Sequence, residues 1–270
     1  SKVKHQKRFL KKMFGNCLDE KSSMRIVDGI FSWYLYLNKV TFLQLVIIRL
    51  WFGSLRRIFE YILRKILKNP KKVYFGDMRG YFFEGGLSQA LGIYYPNVQE
   101  ALRAKLFPGA VFYDLGANNG FFSLFGSILV GNSGKVFSFE PFKESLEKIT
   151  KLAKTNNMTN CTIVESAVID KNGVGKLYFT DNAATPTFQK DFSDNSINVN
   201  TISLDHFTHN HPYPDVIKVN VEGAEAMVLN GSTKLLKEQK SVVWVIEIHD
   251  SENERKCKNI FEKNGFQLKQ

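Results

Sequence analysis

The first chemical signal is a pair of glycines between a strand-like and a helix-like stretch. Val111–Asp114 suits a buried strand, and Gly116 and Gly120 follow it before an apolar stretch typical of a helix. Glycines let a backbone approach a ligand closely, and a helix N-terminus directs amide groups at that ligand. Asn118 and Phe121 stand where a dinucleotide fingerprint has its second and third glycines. The turn therefore predicts a ligand site that is poorly suited to a pyrophosphate.

A carboxylate closes the next predicted strand along the chain. Glu140 ends the stretch "KVFSFE", and an acid at this position can accept hydrogen bonds from both hydroxyls of a ribose. Alone, Glu140 could equally be a solvated strand end, and a glycine turn alone is weak evidence. Together they favour a nucleoside ligand that lacks a diphosphate. S-adenosylmethionine, with its ribose, adenine and cationic sulfonium, fits this requirement.

Ionisable side chains also close two later predicted strands. "DVIKVNVEGAE" runs into Glu222, and "VIEIHD" runs into His249 and Asp250; such a charge is costly in a core strand unless it faces a cleft. A hydroxyl acceptor of a methyl group loses a proton, and a base within reach accelerates that step about 10²–10⁴-fold. We predict His249 as this base because imidazole titrates nearest to neutrality, with Glu222 second. Lys218, expected to point inward or toward a carboxylate, completes the catalytic candidates.

Metal binding is an open alternative but is not predicted. Glu222, Glu247 and His249 carry oxygen and imidazole donors that suit a divalent ion. Three further histidines lie in "DHFTHNHPYPD", which we interpret as a solvated polar loop rather than a metal site. The three cysteines lie far apart and lack metal-ligand spacing, as expected for reduced thiols in the cytoplasm.

The elements that must position these residues alternate between strands and helices from residue 111 onward. This alternation predicts an α/β fold, with a mostly parallel sheet covered by helices on both faces. "KLYFT" reads as an extra edge strand, and residues 181–200 read as a loop over the sheet. In such sheets ligands bind beyond the carboxyl ends of the strands. The predicted strands are 111–114, 135–140, 161–166, 216–221 and 241–248, and the predicted helices are 120–129, 143–157, 225–238 and 251–264.

The N-terminal segment differs from the rest in charge. Residues 1–72 hold 17 basic and 4 acidic residues, against 20 and 22 in residues 73–270, so their net charges are +13 and −2. The nearly neutral main domain argues against a nucleic-acid groove. Apolar and basic residues alternate over 55–68 with the spacing of an amphipathic helix. We expect the apolar side of this helix to pack on protein. The alternative is that residues 40–68 associate peripherally with an anionic membrane. We expect a cytoplasmic protein, either free or at a membrane surface.

Five stretches, in this order, resemble the FkbM family of S-adenosylmethionine-dependent methyltransferases: "FYDLGANNGFFSL", "VFSFEP", "ISLD", "DVIKVNVEGAE" and "VIEIH". The resemblance covers about residues 78–270. It implies a Rossmann-like class I methyltransferase fold and O-methylation of a hydroxyl on a sugar, glycolipid or secondary metabolite. Carried over residue by residue, it implies a ribose contact at Glu140 and an adenine contact at Glu165 and Ser166. The residues implied to line the rest of the cofactor site are Asp114, Gly116, Asn118 and Gly120.

Two departures from the family pattern keep a second reading open. The family commonly has Asp where this chain has Asn220, and the sequence ends at "GFQLKQ", before the last strand or two that the fold normally has. A catalytically weak methyltransferase-fold protein with a binding or regulatory role is therefore the alternative. A nucleic-acid methyltransferase is disfavoured because the Asn/Asp-Pro-Pro-Tyr signature is absent after the fourth predicted strand.

Overall fold

The computed structural model describes residues 72–179, 188, 195–239 and 241–268. The chain divides into two compact units, Ser1–Glu100 and Ala101–Gln270. The predicted amphipathic helix over 55–68 lies outside the described residues, and the predicted boundary between segment and domain stays a prediction. Within the part of the chain that the structure describes, every helix is too short or too polar to cross a membrane.

The elements follow the alternation that the sequence predicts. The strands were recognisable in the sequence because strands buried on both faces of a sheet need nearly continuous apolar runs. In chain order the elements are α1 Leu87–Ala90, α2 Pro96–Lys105, β1 Val111–Leu115, α3 Phe121–Val130, β2 Lys135–Phe139, α4 Lys143–Thr155, β3 Cys161–Val164, β4 Ala167–Val168, β5 Gly173–Tyr178, β6 Ser196–Ile202, α5 Leu204–Phe207, β7 Val216–Val219, α6 Glu225–Asn230, α7 Thr233–Glu238, β8 Val243–Ile246 and α8 Ser251–Lys263.

A five-stranded parallel sheet in the order β3-β2-β1-β7-β8 forms the centre of the second unit. The chain order reverses between β1 and β7, so the crevice at their carboxyl ends is the topological switch point of the sheet. On one face of the sheet the core contains Tyr113 and Leu115 with Phe137, Phe139 and residues of α5 to α7. The opposite face of β1 packs against α3. The predicted parallel sheet with helices on both faces is confirmed.

Between β3 and β7 the strand prediction was wrong in two places, whereas the strands predicted near 216–221 and 241–248 are present as β7 and β8. "KLYFT" does not extend the main sheet, because β5 pairs antiparallel with β6 in a separate sheet of order β4-β6-β5. Residues 196–200, predicted as loop, belong to β6. Val199 and Thr201 face inward and are buried, whereas Asn198 and Asn200 are exposed. This alternation with a period of two is the signal of a half-buried strand, which the many polar residues obscured.

The predicted helix over 225–238 is broken into α6 and α7. A Cβ on Gly231 would lie 2.3 Å from the Ile169 carbonyl oxygen, so the chain needs a glycine at the break. Asp205 then fixes the start of α7, because its carboxylate accepts hydrogen bonds from the Lys234 and Leu235 amides at 2.9 and 3.0 Å. The aspartate of the "ISLD" motif thus has a structural role that a sequence pattern does not reveal.

The histidine-rich stretch is only in part the solvated polar loop that we predicted: His206 and His209 are exposed, but the stretch begins in a short helix. His206 lies in α5, and the ring of His211 stacks on Phe207 with centroids 3.8 Å apart. Packing of Phe207 into the core fixes the start of this stretch. Among the described residues no group of three or more His, Cys, Asp or Glu side chains is arranged to hold a metal ion.

The two described cysteines are unpaired thiols. Burial raises the pKa of Cys161 to about 11 and that of Cys257 to about 12. Because the thiolate is the reactive form, neither side chain is a good nucleophile near neutral pH.

Candidate active site

The turn between β1 and α3 is shaped by two glycines in the left-handed region. Gly116 has φ +72°, and a Cβ there would lie 1.9 Å from the Asn220 carbonyl oxygen. Gly120 has φ +82°, and a Cβ there would lie 2.8 Å from Leu152 Cδ2 on α4. Packing against the Asn220 backbone therefore requires a glycine at position 116, and the left-handed backbone favours one at position 120. The sequence suggested only a close approach to a ligand.

Glu140, directly after β2, is 7% exposed and anchored to this turn. Its Oε2 accepts a hydrogen bond from the Asn118 amide at 2.8 Å, and its Oε1 accepts one from the Phe142 amide at 2.9 Å. Burial raises the pKa of Glu140, and the two backbone hydrogen bonds partly oppose that effect. Because a carboxylate has about four acceptor positions, Glu140 retains capacity for the two hydroxyls of a ribose. The turn and this oriented acid fit a nucleoside cofactor.

Asn118 presents its amide to Glu140 by adopting an unusual backbone conformation. Its φ is +50°, in the left-handed region that non-glycine residues seldom occupy. Asparagine tolerates this region better than most residues. Such strain is typical of sites that hold a ligand.

Asp114, which the resemblance places at the cofactor, lies fully buried beneath the turn. Its Oδ2 accepts a hydrogen bond from Ser123 Oγ at 2.7 Å, and its Oδ1 lies 3.0 Å from Lys218 Nζ without forming a hydrogen bond of good geometry. Lys218 Nζ also donates to the Gly116 carbonyl oxygen at 3.0 Å. The expectation that Lys218 points toward a carboxylate agrees with this geometry. A direct catalytic role for Lys218, and a cofactor contact of Asp114, stay predictions.

Glu165 and Ser166 follow β3 rather than ending it. Glu165 is exposed, and Ser166 Oγ donates to the Glu165 carbonyl oxygen at 2.7 Å. The Glu140 amide donates to the Val164 carbonyl oxygen at 3.1 Å, so both residues follow the strand beside Glu140, at the same edge of the sheet. Their predicted position near an adenine stays a prediction.

On the other side of the switch point, His249 lies after β8 between two carboxylates. Its Nδ1 is 3.1 Å from Glu225 Oε1, and its Nε2 is 3.5 Å from Glu222 Oε2. The hydrogen bond with Glu225 raises the pKa of His249, burial lowers it by a smaller amount, and the charge of Glu222 adds to the increase. The two predicted bases are therefore neighbours in the structure.

Glu225 is the site residue that sequence reasoning missed. It is fully buried and accepts hydrogen bonds from the Gly223 amide at 3.2 Å and from the Asn253 side-chain amide. Asn253 stands in the first turn of α8, where Asp250 caps the helix by accepting from the Asn253 amide at 2.7 Å. Asp250, the last residue of the "VIEIHD" stretch, therefore serves as a helix cap. A sequence signal did exist, since Glu225 begins an apolar helix that could not bury an unpaired charge.

Glu222 reaches His249 from a strained turn. It has φ +51° and Gly223 has φ +94°, so two consecutive residues are left-handed. The side chains of His249 and Glu222 are 29% and 36% exposed. This exposure leaves the pair accessible to an acceptor, in contrast to the buried Glu225.

Asn220 lies between the cofactor turn and this pair. Its Nδ2 donates to Glu247 Oε2 at 2.6 Å, whereas its buried Oδ1 has no hydrogen-bond partner among the described residues. An amide can donate to Glu247, but an aspartate in its place would set two carboxylates against each other. The departure from the family pattern thus supplies a hydrogen-bond donor to Glu247.

The sheet order, the glycine turn at the switch point and the oriented Glu140 define a class I methyltransferase domain. The chain belongs to the FkbM methyltransferase family, because the model of the methyltransferase FkbM domain matches residues 114–268, more than half of the chain. The domain is therefore a methyltransferase domain that uses S-adenosylmethionine.

The chain is also similar to one curated relative and to two solved structures. Hexuronic acid methyltransferase AglP of Haloferax volcanii is 29% identical over 143 residues, which cover 52% of this chain and 56% of AglP. The chain thus spans little more than half of that relative's length. Methyltransferase FkbM from Methylobacillus flagellatus KT has 14% identity and a TM-score of 0.39, covering 94% of this chain and 50% of that one. Precorrin-6y C5,15-methyltransferase from Geobacter metallireducens GS-15 has 16% identity and a TM-score of 0.44, covering 64% and 72%.

Proposed function

We propose that the protein transfers a methyl group from S-adenosylmethionine to a hydroxyl of a sugar. The observation that supports this most is the partly exposed His249, whose Nδ1 is held by the buried Glu225 at 3.1 Å. This contact leaves Nε2 as the imidazole nitrogen that can take a proton. A positioned base is what a neutral hydroxyl acceptor requires.

The chemistry divides between the two sides of the switch point. Bound S-adenosylmethionine supplies a methyl group that its sulfonium has already activated. Glu140 is proposed to hold the ribose, and the turn from Gly116 to Gly120 to hold the rest of the cofactor. His249 Nε2 accepts the hydroxyl proton, and Glu225 stabilises the imidazolium that results. Orientation of the acceptor supplies the remainder of the rate enhancement.

The sugar part of the proposal is supported by AglP, whose name states that it methylates a hexuronic acid. A hexuronic acid offers hydroxyl oxygens and a carboxylate oxygen as acceptors. A carboxylate is already ionised and needs no base, whereas a hydroxyl needs one. The His249–Glu225 pair therefore favours the hydroxyl and an ether product.

The test is a turnover assay with a panel of glucuronic acid, galacturonic acid and neutral hexosides as methyl acceptors. Turnover is measured as the formation of S-adenosylhomocysteine. We expect turnover with at least one sugar and a product that resists mild alkali, because ethers are stable where methyl esters are cleaved. An alkali-labile product would place the methyl group on the carboxylate. Binding of S-adenosylhomocysteine without turnover on any acceptor would favour the alternative of a catalytically weak binding or regulatory protein.

The base is tested with His249→Ala and Glu222→Ala. We expect His249→Ala to lower kcat about 10²–10⁴-fold, the usual contribution of general-base catalysis, with little change in cofactor binding. His209→Ala is a matched control, since this exposed histidine lies outside the candidate site. If His249→Ala and Glu222→Ala both keep wild-type turnover from pH 6 to 9, neither is the base and alignment alone suffices.

A further inference from the structure

We infer that Lys218 is a positioning residue of the cofactor turn, which its buried ammonium group holds in place through the Gly116 carbonyl. This inference rests on the proposed binding of the cofactor at the turn and at Glu140, but it does not depend on the proposed sugar acceptor.

Lys218 belongs to a row of polar side chains that crosses three strands at one level. Asp114 on β1 is in register with Ser138 on β2 and with Lys218 on β7. Asp114 and Ser138 are fully buried, and Lys218 is 5% exposed. Ser123 of α3 joins the row from above, because it donates to Asp114 and accepts from Ser138 Oγ at 2.7 Å. Buried polar groups are costly unless paired, and these four side chains pair with one another.

The ammonium of Lys218 is surrounded by protein groups. Its Nζ lies 3.0 Å from Asp114 Oδ1, 3.0 Å from the Gly116 carbonyl oxygen and 3.5 Å from the Leu115 carbonyl oxygen. The ring of Phe122 lies 5.4 Å away, within the range of a cation–π contact. An ammonium has three donors, and three protein acceptors surround this one. The position of the Lys218 ammonium therefore suits holding the turn rather than contacting the molecule that receives the methyl group.

The contact with Gly116 connects Lys218 to Glu140. Two residues after Gly116, the Asn118 amide donates to Glu140 Oε2. If Lys218 served only to neutralise Asp114, the ion pair would be sufficient. The additional hydrogen bond to the Gly116 carbonyl oxygen holds the turn itself. If the turn is released, the Asn118 amide shifts and Glu140 loses the hydrogen bond that orients it. Lys218 therefore acts on the cofactor through Gly116, Asn118 and Glu140.

The experiment separates charge balance from positioning. Asp114→Asn and Lys218→Met each leave one buried charge unpaired, and we expect both to lower the melting temperature. The double variant Asp114→Asn/Lys218→Met removes both charges and should melt closer to wild type. In that double variant the Kd for S-adenosylhomocysteine, measured by calorimetry, should still rise about 10–100-fold, the range of a lost hydrogen bond to a charged group.

Two further variants keep the test decisive. Ser138→Ala removes a hydrogen bond from the same buried row without touching the turn, so it should lower the melting temperature but not the affinity. Asp114→Asn/Lys218→Gln retains a donor for the Gly116 carbonyl oxygen, so its Kd for S-adenosylhomocysteine should be close to that of the wild type. This result can be obtained even if the methionine variant does not fold.

Three outcomes would overturn the inference. Wild-type affinity in the double methionine variant would mean that Lys218 only neutralises Asp114. Unchanged affinity with lost turnover would mean that Lys218 acts directly in catalysis. No recovery in a folded double glutamine variant would mean that the donor to Gly116 is irrelevant. Since affinity for S-adenosylhomocysteine is measured without any acceptor, failure here is distinct from failure of the sugar proposal.

Discussion

The two sides of the switch point are built differently. On the β1–β2 side, Glu140 is almost fully buried and each of its oxygens is bound by a backbone amide. On the β7–β8 side, Glu222 and His249 are about one-third exposed, and their contacts are between side chains. The first side is therefore fixed by backbone contacts, whereas the second is held by contacts between partly exposed side chains.

This difference matches the two tasks of a methyltransferase. A shared cofactor needs the same geometry every time, which backbone contacts and glycines provide. An acceptor differs between enzymes, and exposed ionisable side chains can change without disturbing the sheet. Substitutions on the first side should therefore affect stability and cofactor affinity, whereas those on the second should affect pH dependence and turnover.

The most disruptive change should be Gly116→Ala. The left-handed backbone costs a non-glycine residue about 1–2 kcal/mol, and overpacking against the Asn220 carbonyl adds about 1–3 kcal/mol. Urea unfolding measures the loss. Gly265→Ala is the control, because Gly265 has φ +76° but nothing within 4 Å of its Cβ position. Equal losses in the two variants would show that contact with Asn220 contributes nothing.

Glu140→Ala should weaken cofactor binding by about 1.5–3 kcal/mol, because it removes hydrogen bonds to a charged group. Calorimetry with S-adenosylmethionine measures this change. Glu144→Ala serves as control, since that carboxylate is exposed on α4. An unchanged Kd in a folded Glu140→Ala protein would reject the ribose assignment.

Asn220→Asp tests the side-chain amide that lies between the two sides of the switch point and donates to Glu247. It replaces the donor to Glu247 with a second carboxylate, and like charges this close raise the pKa of one of them. A raised folded-state pKa favours the protonated form, so the variant should approach wild-type stability at low pH. It should lose about 1–3 kcal/mol as pH rises through that pKa, the cost of a lost buried partner. Melting curves at pH 5.5 and 8 measure this difference, and a loss independent of pH would contradict it.

The smallest effect should be the one on pH dependence. If His249 is the base it must be neutral, so activity should rise with pH through its pKa, which Glu225 raises above the usual value. Glu225→Gln should move this rise to lower pH by about one unit, the lower end of the shift from one opposite charge. Rate profiles from pH 6 to 9 measure it, with the exposed Glu262→Gln as control. If the rate profile of Glu225→Gln rises at the same pH as that of the wild type, protonation of His249 does not control the rate.

The same raised pKa has a consequence for stability. Protonated His249 is favoured in the folded state, so its contribution is complete below the unfolded pKa of about 6.5. This contribution should disappear as pH rises through the higher folded value. His249→Ala should remove that component from the pH dependence of the melting temperature.

The sequence by itself predicted the main sheet, the glycine turn after β1 and the place of Glu140 at the end of β2. Buried parallel strands need apolar runs, and the turn after β1 needs glycines, so both leave a continuous local pattern. Glu140 was readable because it ends such a run. The strand β6 was missed for the opposite reason, since its outward face is polar and its partner β5 lies about twenty residues away along the chain.

Only the tertiary structure decided how the charges are paired. Lys218 and Asp114 lie about a hundred residues apart in sequence but side by side on β7 and β1, and no local pattern reports such a pairing. Glu225 reads as an ordinary first-turn acid until α8 brings Asn253 against it. Local spacing predicts what a strand or helix buries, whereas the partner of a buried charge depends on which strands and helices the fold makes neighbours.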